Sequence, residues 1–348
     1  MNRLRKNLLP LSPVYEAIVS AKRRMHKLGW LRQRRLPSPV ISVGSVSAGG
    51  AGKTPMVVML AGILRRRGYA VSILTRGYGR ASNLIERVDA NDDPAWHGDE
   101  PVLLAQRSGA PVFAGADRYR AGLLSEQDWR EDKVRVHLLD DGFQHLRLAR
   151  NVDIVLLTLE DVRDHLLPAG NLREPITAVA DADVVVVREE EATEIEGVLD
   201  QLRGEGSNFT VWTIRRTLGL AGGDQRLPPL PLAFCGIARP DNFTRMLMAS
   251  RYEPLETVTF PDHHPYREAD MVRILDRFRI RGANGFVTTE KDAVKLTPAM
   301  RERLESVGPL ILARLNVELL NEKEALSQLV QMVSELDRRK GQERPVRE

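Results

Sequence analysis

The sequence predicts an α/β protein: a doubly wound, mostly parallel sheet with a second, smaller α/β domain. Three observations predict it. An apolar run at 39–43 leads into Gly44-Ser45-Val46-Ser47-Ala48-Gly49-Gly50-Ala51-Gly52-Lys53-Thr54-Pro55, and a helical apolar pattern follows at 56–67. Short apolar runs then alternate with helical stretches as far as residue 187, the texture of parallel strands joined by crossover helices. Finally, the run 134–139 delivers Asp140-Asp141 to the carboxyl end of a strand downstream of the glycine-rich turn.

The strand, glycine-rich turn and Gly-Lys-Thr helix start form an arrangement that cradles nucleotide phosphates. Backbone N–H groups of Gly49, Gly50, Ala51 and Gly52 face the anion, Lys53 neutralises it, and the Thr54 hydroxyl reaches Mg²⁺. The fold is therefore P-loop NTPase-like, and the chain binds a nucleoside triphosphate. Ser47 stands where such loops usually place their first glycine.

The remaining elements follow in order. A second strand at 69–75 ends in Arg76-Gly77-Tyr78-Gly79, and the polar, turn-rich stretch 81–98 reads as a loop. Residues 99–107 form a helix with Pro101 near its first turn, 111–114 a short strand and 117–127 a helix. Runs 152–157 and 183–187 are buried strands. The nucleotide domain is expected over 38–207 and the smaller domain over 219–308. Strands in 208–218 and 309–317 would link them, 318–338 is a closing helix and 339–348 a frayed tail.

Composition bounds the class. Apolar residues make up 43% and charged residues 28% of 348 residues, as in ordinary globular proteins. The single cysteine, Cys235, excludes an internal disulfide framework and a cysteine-rich metal site. The net charge of +4 hides an asymmetry: residues 1–37 carry ten Lys/Arg against Glu16 alone, or +9, which leaves −5 on the remainder. This basic leader interleaves Val14, Tyr15, Ile18, Val19, Met25, Leu28, Trp30 and Leu31 with its cations, and it has no uninterrupted apolar core of the secretory kind. Such a pattern suits a helix lying on an anionic membrane surface. That reading is preferred to a surface helix packed on the domain and to a nucleic-acid arm, which would carry aromatics for base stacking.

Four further segments bear candidate chemistry. Asp140-Asp141 can place carboxylates on the Mg²⁺ held by the loop threonine. Asp99-Glu100 follow Gly98 at a helix start, where capping alone accounts for acidic residues. Asp262-His263-His264 sit between prolines, and a histidine beside a carboxylate suits proton transfer, with a hydrogen-bonded loop histidine of equal standing. Thr289-Glu290-Lys291-Asp292 reads as a capped helix start, structural on physics alone.

In order and spacing these segments resemble the tetraacyldisaccharide 4′-kinases of lipid A biosynthesis. The resemblance rests on the phosphate loop, Arg76-Gly77-Tyr78-Gly79, Gly98-Asp99-Glu100-Pro101, Asp140-Asp141-Gly142-Phe143-Gln144-His145, Pro168-Ala169-Gly170-Asn171-Leu172-Arg173-Glu174-Pro175, Cys235-Gly236-Ile237-Ala238-Arg239-Pro240, Asp262-His263-His264 and Thr289-Glu290-Lys291-Asp292. That family carries Asn and Thr where this chain has Ser45 and Ser47, so the missing first glycine is a family trait.

The resemblance implies transfer of the ATP γ-phosphoryl group to the 4′-hydroxyl of tetraacyldisaccharide 1-phosphate, giving lipid IV-A. The site would be the cytoplasmic face of a Gram-negative inner membrane, held peripherally. It further implies Lys53 on the β- and γ-phosphates, and Thr54, Glu100, Asp140 and Asp141 in or near the metal shell. Asp99 would take the hydroxyl proton, assisted by His263. Arg76, Tyr78, Arg118, Gln144, His145 and Asn171 would contact the headgroup. ATP, Mg²⁺, the lipid substrate and an anionic membrane surface are the implied partners, with no nucleic acid and no obligate protein partner. The alternative is a P-loop GTPase or ATPase acting as a switch or metallochaperone, although no Asn-Lys-x-Asp guanine reader is present.

Overall fold

The computed structural model describes residues 5, 7–129, 133–204, 206–221 and 227–342. The leader forms a 3₁₀ turn at Leu9–Leu11 and helix α1 (Ser12–Lys27). Then come β1 (Val40–Ser45), α2 (Lys53–Arg66), β2 (Ala70–Thr75), β3 (Glu86–Val88), α3 (Pro94–His97), α4 (Asp99–Ser108), β4 (Val112–Ala114), α5 (Arg118–Asp128) and β5 (Arg135–Asp140). The chain continues through β6 (Val152–Leu156), α6 (Leu159–Val162), β7 (Val184–Arg188), α7 (Ala192–Gly204) and β8 (Thr210–Leu220). The C-terminal part holds β9 (Pro231–Cys235), α8 (Pro240–Ala249), β10 (Glu256–Thr259), α9 (Glu268–Arg281), β11 (Gly285–Thr289), α10 (Glu290–Ala293), α11 (Pro298–Glu305), β12 (Leu310–Leu319) and α12 (Glu322–Gln342).

Among the described residues the strands make one sheet, ordered β10-β9-β11-β12-β8-β7-β6-β1-β5-β2-β4-β3. Pairing is parallel except for β12 with β8 and β3 with β4. β1 lies between β5 and β6 with all six residues buried, because helices cover both faces of the sheet there. Its neighbours depart in opposite directions, so its carboxyl end opens onto the crevice where such sheets bind ligands. One core joins α2 (Met56, Leu60, Leu64) with α12 (Leu326, Leu329, Val333) over one face. A second core, with Phe143, Val155, Val185 and Leu199, covers the other. The C-terminal strands carry their own core around Phe234, Phe278 and Phe286.

Several boundaries differ from the sequence reading. The stretch 81–98 is not plain loop. It holds β3, a three-residue edge strand antiparallel to β4, and the one-turn α3 capped by the Asp93 carboxylate on Ala95 N. Such an element is too short to show periodicity. β8 and β12 run longer than expected, because their mixed polar residues pair with each other from Ala313↔Leu220 to Leu319↔Ile214. α2 starts at Lys53, within the glycine loop, with Gly52 before it at φ 98°. The closing helix continues to Gln342; residues 343–348 of the expected tail and 222–226 of the Gly/Pro-rich connection lie outside the described residues.

α1 docks on the first half through one face. Ser12 Oγ donates to Leu166 O (3.0 Å), Tyr15 OH to Arg173 O (3.2 Å), and buried Arg23 pairs with Glu174 and Asp181 while lying 4.4 Å over Phe143. The opposite face leaves Val14 and Ile18 exposed, as are Leu28 and Trp30 beyond it. No helix among the described residues is long and apolar enough to cross a membrane.

A buried polar chain pins β2, β5 and α5 together. Ser72 Oγ lies 2.7 Å from His137 Nδ1, and His137 Nε2 lies 3.1 Å from Glu126 Oε1. The carboxylate can only accept, so Nε2 carries the proton and Nδ1 accepts from the serine. Burial holds the His137 pKa below its ordinary value despite Glu126. The folded state therefore resists a proton that the unfolded chain takes up below its ordinary histidine pKa, and stability should fall with pH from there. We predict lower unfolding free energy at about pH 5.5 than at about pH 7.5 in urea titrations. The difference should shrink in His137→Gln, and an unchanged difference would count against this chain as an acid-sensitive element.

Candidate active site

The carboxyl ends of β1, β2, β5 and β11 converge on a cavity of about 780 Å³. Its floor is the glycine loop, in which Gly49, Gly50 and Gly52 hold left-handed φ of 74°, 72° and 98°. Ser47 is absent from the left-handed positions, which is why a serine fits where a first glycine was expected. A Cβ on Gly50 would stand 2.5 Å from Arg239 Cδ, so this glycine also admits a side chain of the C-terminal part over the loop. Ser45 Oγ donates to Ser47 O (2.9 Å) and accepts from Lys53 Nζ (3.2 Å), binding the start of the loop to its lysine.

Lys53 Nζ also lies 3.4 Å from Asp141 Oδ1. Asp141 sits at φ 49°, a left-handed turn that aspartate tolerates better than most residues. Arg173 grips its carboxylate with two hydrogen bonds of 2.8 and 2.7 Å. Burial would raise the Asp141 pKa, but Lys53 and Arg173 outweigh it and hold the group well below the carboxylate range. Asp140 next to it behaves oppositely. Only 2% exposed, it accepts from Thr75 Oγ1 (3.2 Å), and burial with the charges of Glu100 and Asp141 pushes its pKa up to about 7.

On the facing wall, His263 Nδ1 lies 3.0 Å from Asp99 Oδ2 and 3.2 Å from Oδ1. Its Nε2 lies 3.3 Å from Lys291 Nζ. A carboxylate only accepts and an ammonium only donates, so Nδ1 carries the imidazole proton and Nε2 is the acceptor. His263 holds φ 57°, and its backbone N–H donates to Asp262 Oδ1 (3.0 Å). Tyr78 packs tilted on its ring at 5.3 Å. The hydrogen bond to Asp99 raises the His263 pKa. Burial would raise that of Asp99, but the His263 bond and the Lys291 charge bring it below its ordinary value. Lys291 also reaches Glu100 Oε1 (3.0 Å) and Asp262 Oδ1 (3.6 Å), and its pKa rises because these carboxylates outweigh its burial.

The expected residues thus divide. Gly49, Gly50, Ala51, Gly52, Lys53, Thr54, Arg76, Tyr78, Glu100, Asp140, Asp141 and His263 all line the cavity, and Asp99 stands behind His263, 6% exposed. Arg118, Gln144, His145 and Asn171 are not on its wall. Buried Arg118 donates to Ala116 O (2.8 Å), and burial with nearby Arg76 lowers its pKa to about 10. Gln144 Nε2 donates to Ser45 O (2.9 Å), bracing the glycine loop from below. His145 is brought down to about 4 by burial and by Arg118. Asn171 accepts from Arg5 Nη1 (2.8 Å), while its carbonyl accepts from Ala48 N (2.9 Å).

Lys291, Arg173, Asp262 and Arg239 also line the cavity and were not singled out as site residues from sequence. Thr289 does cap α10, accepting from Asp292 N. That local account hid the lysine two residues on. The signal was a lysine inside a segment that belongs, with Asp99-Glu100 and Asp262-His263, to the one resemblance.

Comparison with known proteins agrees over nearly the whole length. A sequence model of the family described as Tetraacyldisaccharide-1-P 4′-kinase matches residues 4–334. The chain is 39% identical over 339 residues to a tetraacyldisaccharide 4′-kinase of Koribacter versatilis, covering 95% of this chain and 99% of that one. It is 36% identical over 333 residues to the protein of that name in Geobacter metallireducens, covering 91% and 94%. A solved structure, described as an apo form of LpxK from Aquifex aeolicus in complex with ATP, superposes with a TM-score of 0.74 at 31% identity, covering 95% of this chain and 99% of that one.

Removing the ammonium of Lys291 leaves Glu100, Asp262 and Asp99 facing one another across a half-buried space. Lys291→Met is expected to lower the unfolding free energy by about 2 kcal/mol, the scale of a lost charged hydrogen bond. Chemical denaturation measures it, and an unchanged midpoint would show that water screens these carboxylates.

Proposed function

The chain belongs to the tetraacyldisaccharide-1-P 4′-kinase family, and from that premise we propose that Asp99 and His263 are the proton-accepting pair of its reaction. It is an ATP-dependent phosphotransferase of lipid A biosynthesis, with the 4′-hydroxyl of the tetraacylated disaccharide as acceptor. The observation that carries the proposal is the 3.0 Å contact between His263 Nδ1 and Asp99 Oδ2, on the wall facing the phosphate loop. As the acceptor oxygen bonds to the γ-phosphorus and the bond to the ADP oxygen breaks, the hydroxyl proton passes to this pair. The hydrogen bond to Asp99 orients the imidazole and raises its pKa, which suits it to receive a proton near neutral pH.

Lys53 and the loop amides orient the phosphates, the positioning on which phosphoryl transfer chiefly depends. The residues present fit Mg²⁺. Asp140 Oδ1 is buried without a hydrogen-bond partner among the described residues, and Asp141, Glu100 and Thr54 line the same cavity. These four are assigned to the ion, which would neutralise phosphate charge when bound; among the described residues their carboxylates do not form a ready-made metal cluster, since Arg173 holds Asp141 and Lys291 holds Glu100. Arg76 and Tyr78, on the cavity wall, are assigned to the disaccharide headgroup; Gln144 and the Asn171 carbonyl hold the glycine loop at Ser45 and Ala48, and Arg118 and His145 lie off the wall. The C-terminal part from β9 to α11 acts as a separate lobe bringing His263 and Lys291, with β8 and β12 as its linker. The switch and metallochaperone alternative is not favoured by a family match of this length.

The exposed row of Val14, Ile18, Leu28 and Trp30 beside basic Lys22 and Arg24 is assigned to the anionic inner-membrane surface, cytoplasmic side, where the acyl chains stay in lipid.

Asp99→Ala is expected to abolish phosphate transfer from labelled ATP to the disaccharide while leaving ATP affinity within about twofold, since it removes a group used only in the transition state. Near-normal turnover would sink the proton-acceptor role. Ile18→Glu with Trp30→Glu should weaken partitioning onto anionic vesicles without changing the melting temperature, because both side chains are exposed. Unchanged partitioning would leave α1 as a packing helix only.

A further inference from the structure

Helix α4 meets the C-terminal part at three points along one stretch. Asp99 bonds His263, Glu100 bonds Lys291, and two turns later Arg107 Nη1 pairs with Glu290. The last contact borders the same cavity but stands two turns away from Asp99, and taken as a pair its side chains are the least exposed of the three. The Arg107 and Glu290 side chains are only 15% and 12% exposed. The second Glu290 oxygen accepts from Arg314 Nε of β12 (2.8 Å), and Arg107 Nη2 donates to Asn316 Oδ1 on the same strand (3.4 Å). One carboxylate therefore joins α4, α10 and β12.

We propose that Glu290 is a positioning residue for the reaction: it clamps α4 to α10 so that Asp99 and Glu100 stay in register with His263 and Lys291. This rests on the Asp99–His263 reading above. The geometry is that of a lever. Glu290 and Lys291 are successive residues of a one-turn helix whose start Thr289 fixes, so holding Glu290 fixes where Lys291 projects. Asp99, Glu100 and Arg107 share a continuous helix, so holding Arg107 fixes the orientation of its first turn. The two pairs at the cavity, His263 with Asp99 and Lys291 with Glu100, are more open, with His263 and Glu100 side chains 26% and 28% exposed, and water competes for them. Glu290 is the shielded member of its own cluster, 12% exposed, and its carboxylate bridges two arginines, one oxygen each, of which Arg107 is 15% and Arg314 39% exposed. Without its carboxylate, two guanidinium groups would face each other in a half-buried space and push the elements apart.

The test compares Glu290→Ala and Glu290→Gln with the parent in the full-length enzyme. Steady-state kinetics with ATP and lipid acceptor are read beside hydrogen–deuterium exchange of amides 99–108. Glu290→Ala should lower kcat by about 10–100-fold, the range that a misplacement of about 1 Å produces, with KM for ATP little changed. Exchange in 99–108 should quicken while β1 stays protected. Glu290→Gln, which keeps one acceptor oxygen, should recover part of both. Unchanged exchange in Glu290→Ala overturns the clamp. Quickened exchange with normal kcat, while Asp99→Asn is inactive, overturns the positioning role. Normal turnover by Asp99→Asn would instead sink the proton-acceptor reading, and the exchange data would still decide the clamp.

Discussion

Carboxylates crowd the carboxyl ends of the central strands, and balancing them is the constraint on which the rest of the structure depends. Asp99 and Asp140 are buried, and Glu100, Asp140, Asp141 and Asp262 line the cavity in front of Asp99. Groups of one sign so placed must either take up protons or find cations. Both solutions occur side by side: Asp140 is driven toward its neutral form, while Asp141 is kept ionised by Lys53 and Arg173. The cations arrive from three distant stretches of chain, at the start of α2, at Arg173 and at the start of α10. The fold is what brings them together, so packing in the sheet and charge balance in the cleft are one problem.

The phosphate loop was legible in the sequence because its chemistry is local. Glycines 49, 50 and 52 are needed within a few residues of Lys53, and the structure puts each of them in the left-handed region. Asp140-Asp141 were legible for the same reason, as the end of one apolar strand. Asp99 and His263 were not legible from their residue types alone, since capping and a rigid loop explained them equally well; only the resemblance singled them out. Lys291 escaped because its partner Glu100 lies 191 positions away, and a capped one-turn helix accounted for its own neighbourhood. β3 and the full length of the β8–β12 pair escaped because pairing, not composition, makes those strands.

The leader shows the same division. Its mixture of cations and apolar residues was visible, but not which face would meet the domain. Tyr15 and Arg23 turn inward, the latter buried against Glu174 and Phe143, while Val14 and Ile18 turn outward. A basic residue on an amphipathic helix can thus serve as an internal pin, and counting charges does not distinguish it from its solvated neighbours.

The docking of α1 has one more consequence. Its side-chain bonds run to Leu166, Arg173, Glu174 and Asp181, and Arg173 is the residue that grips Asp141. The exposed row of the helix and the floor of the cleft are therefore parts of one stiff body. Were the helix to rest upon a surface, the height of the glycine loop above it would be set by the fold, and the helix would act as a depth gauge.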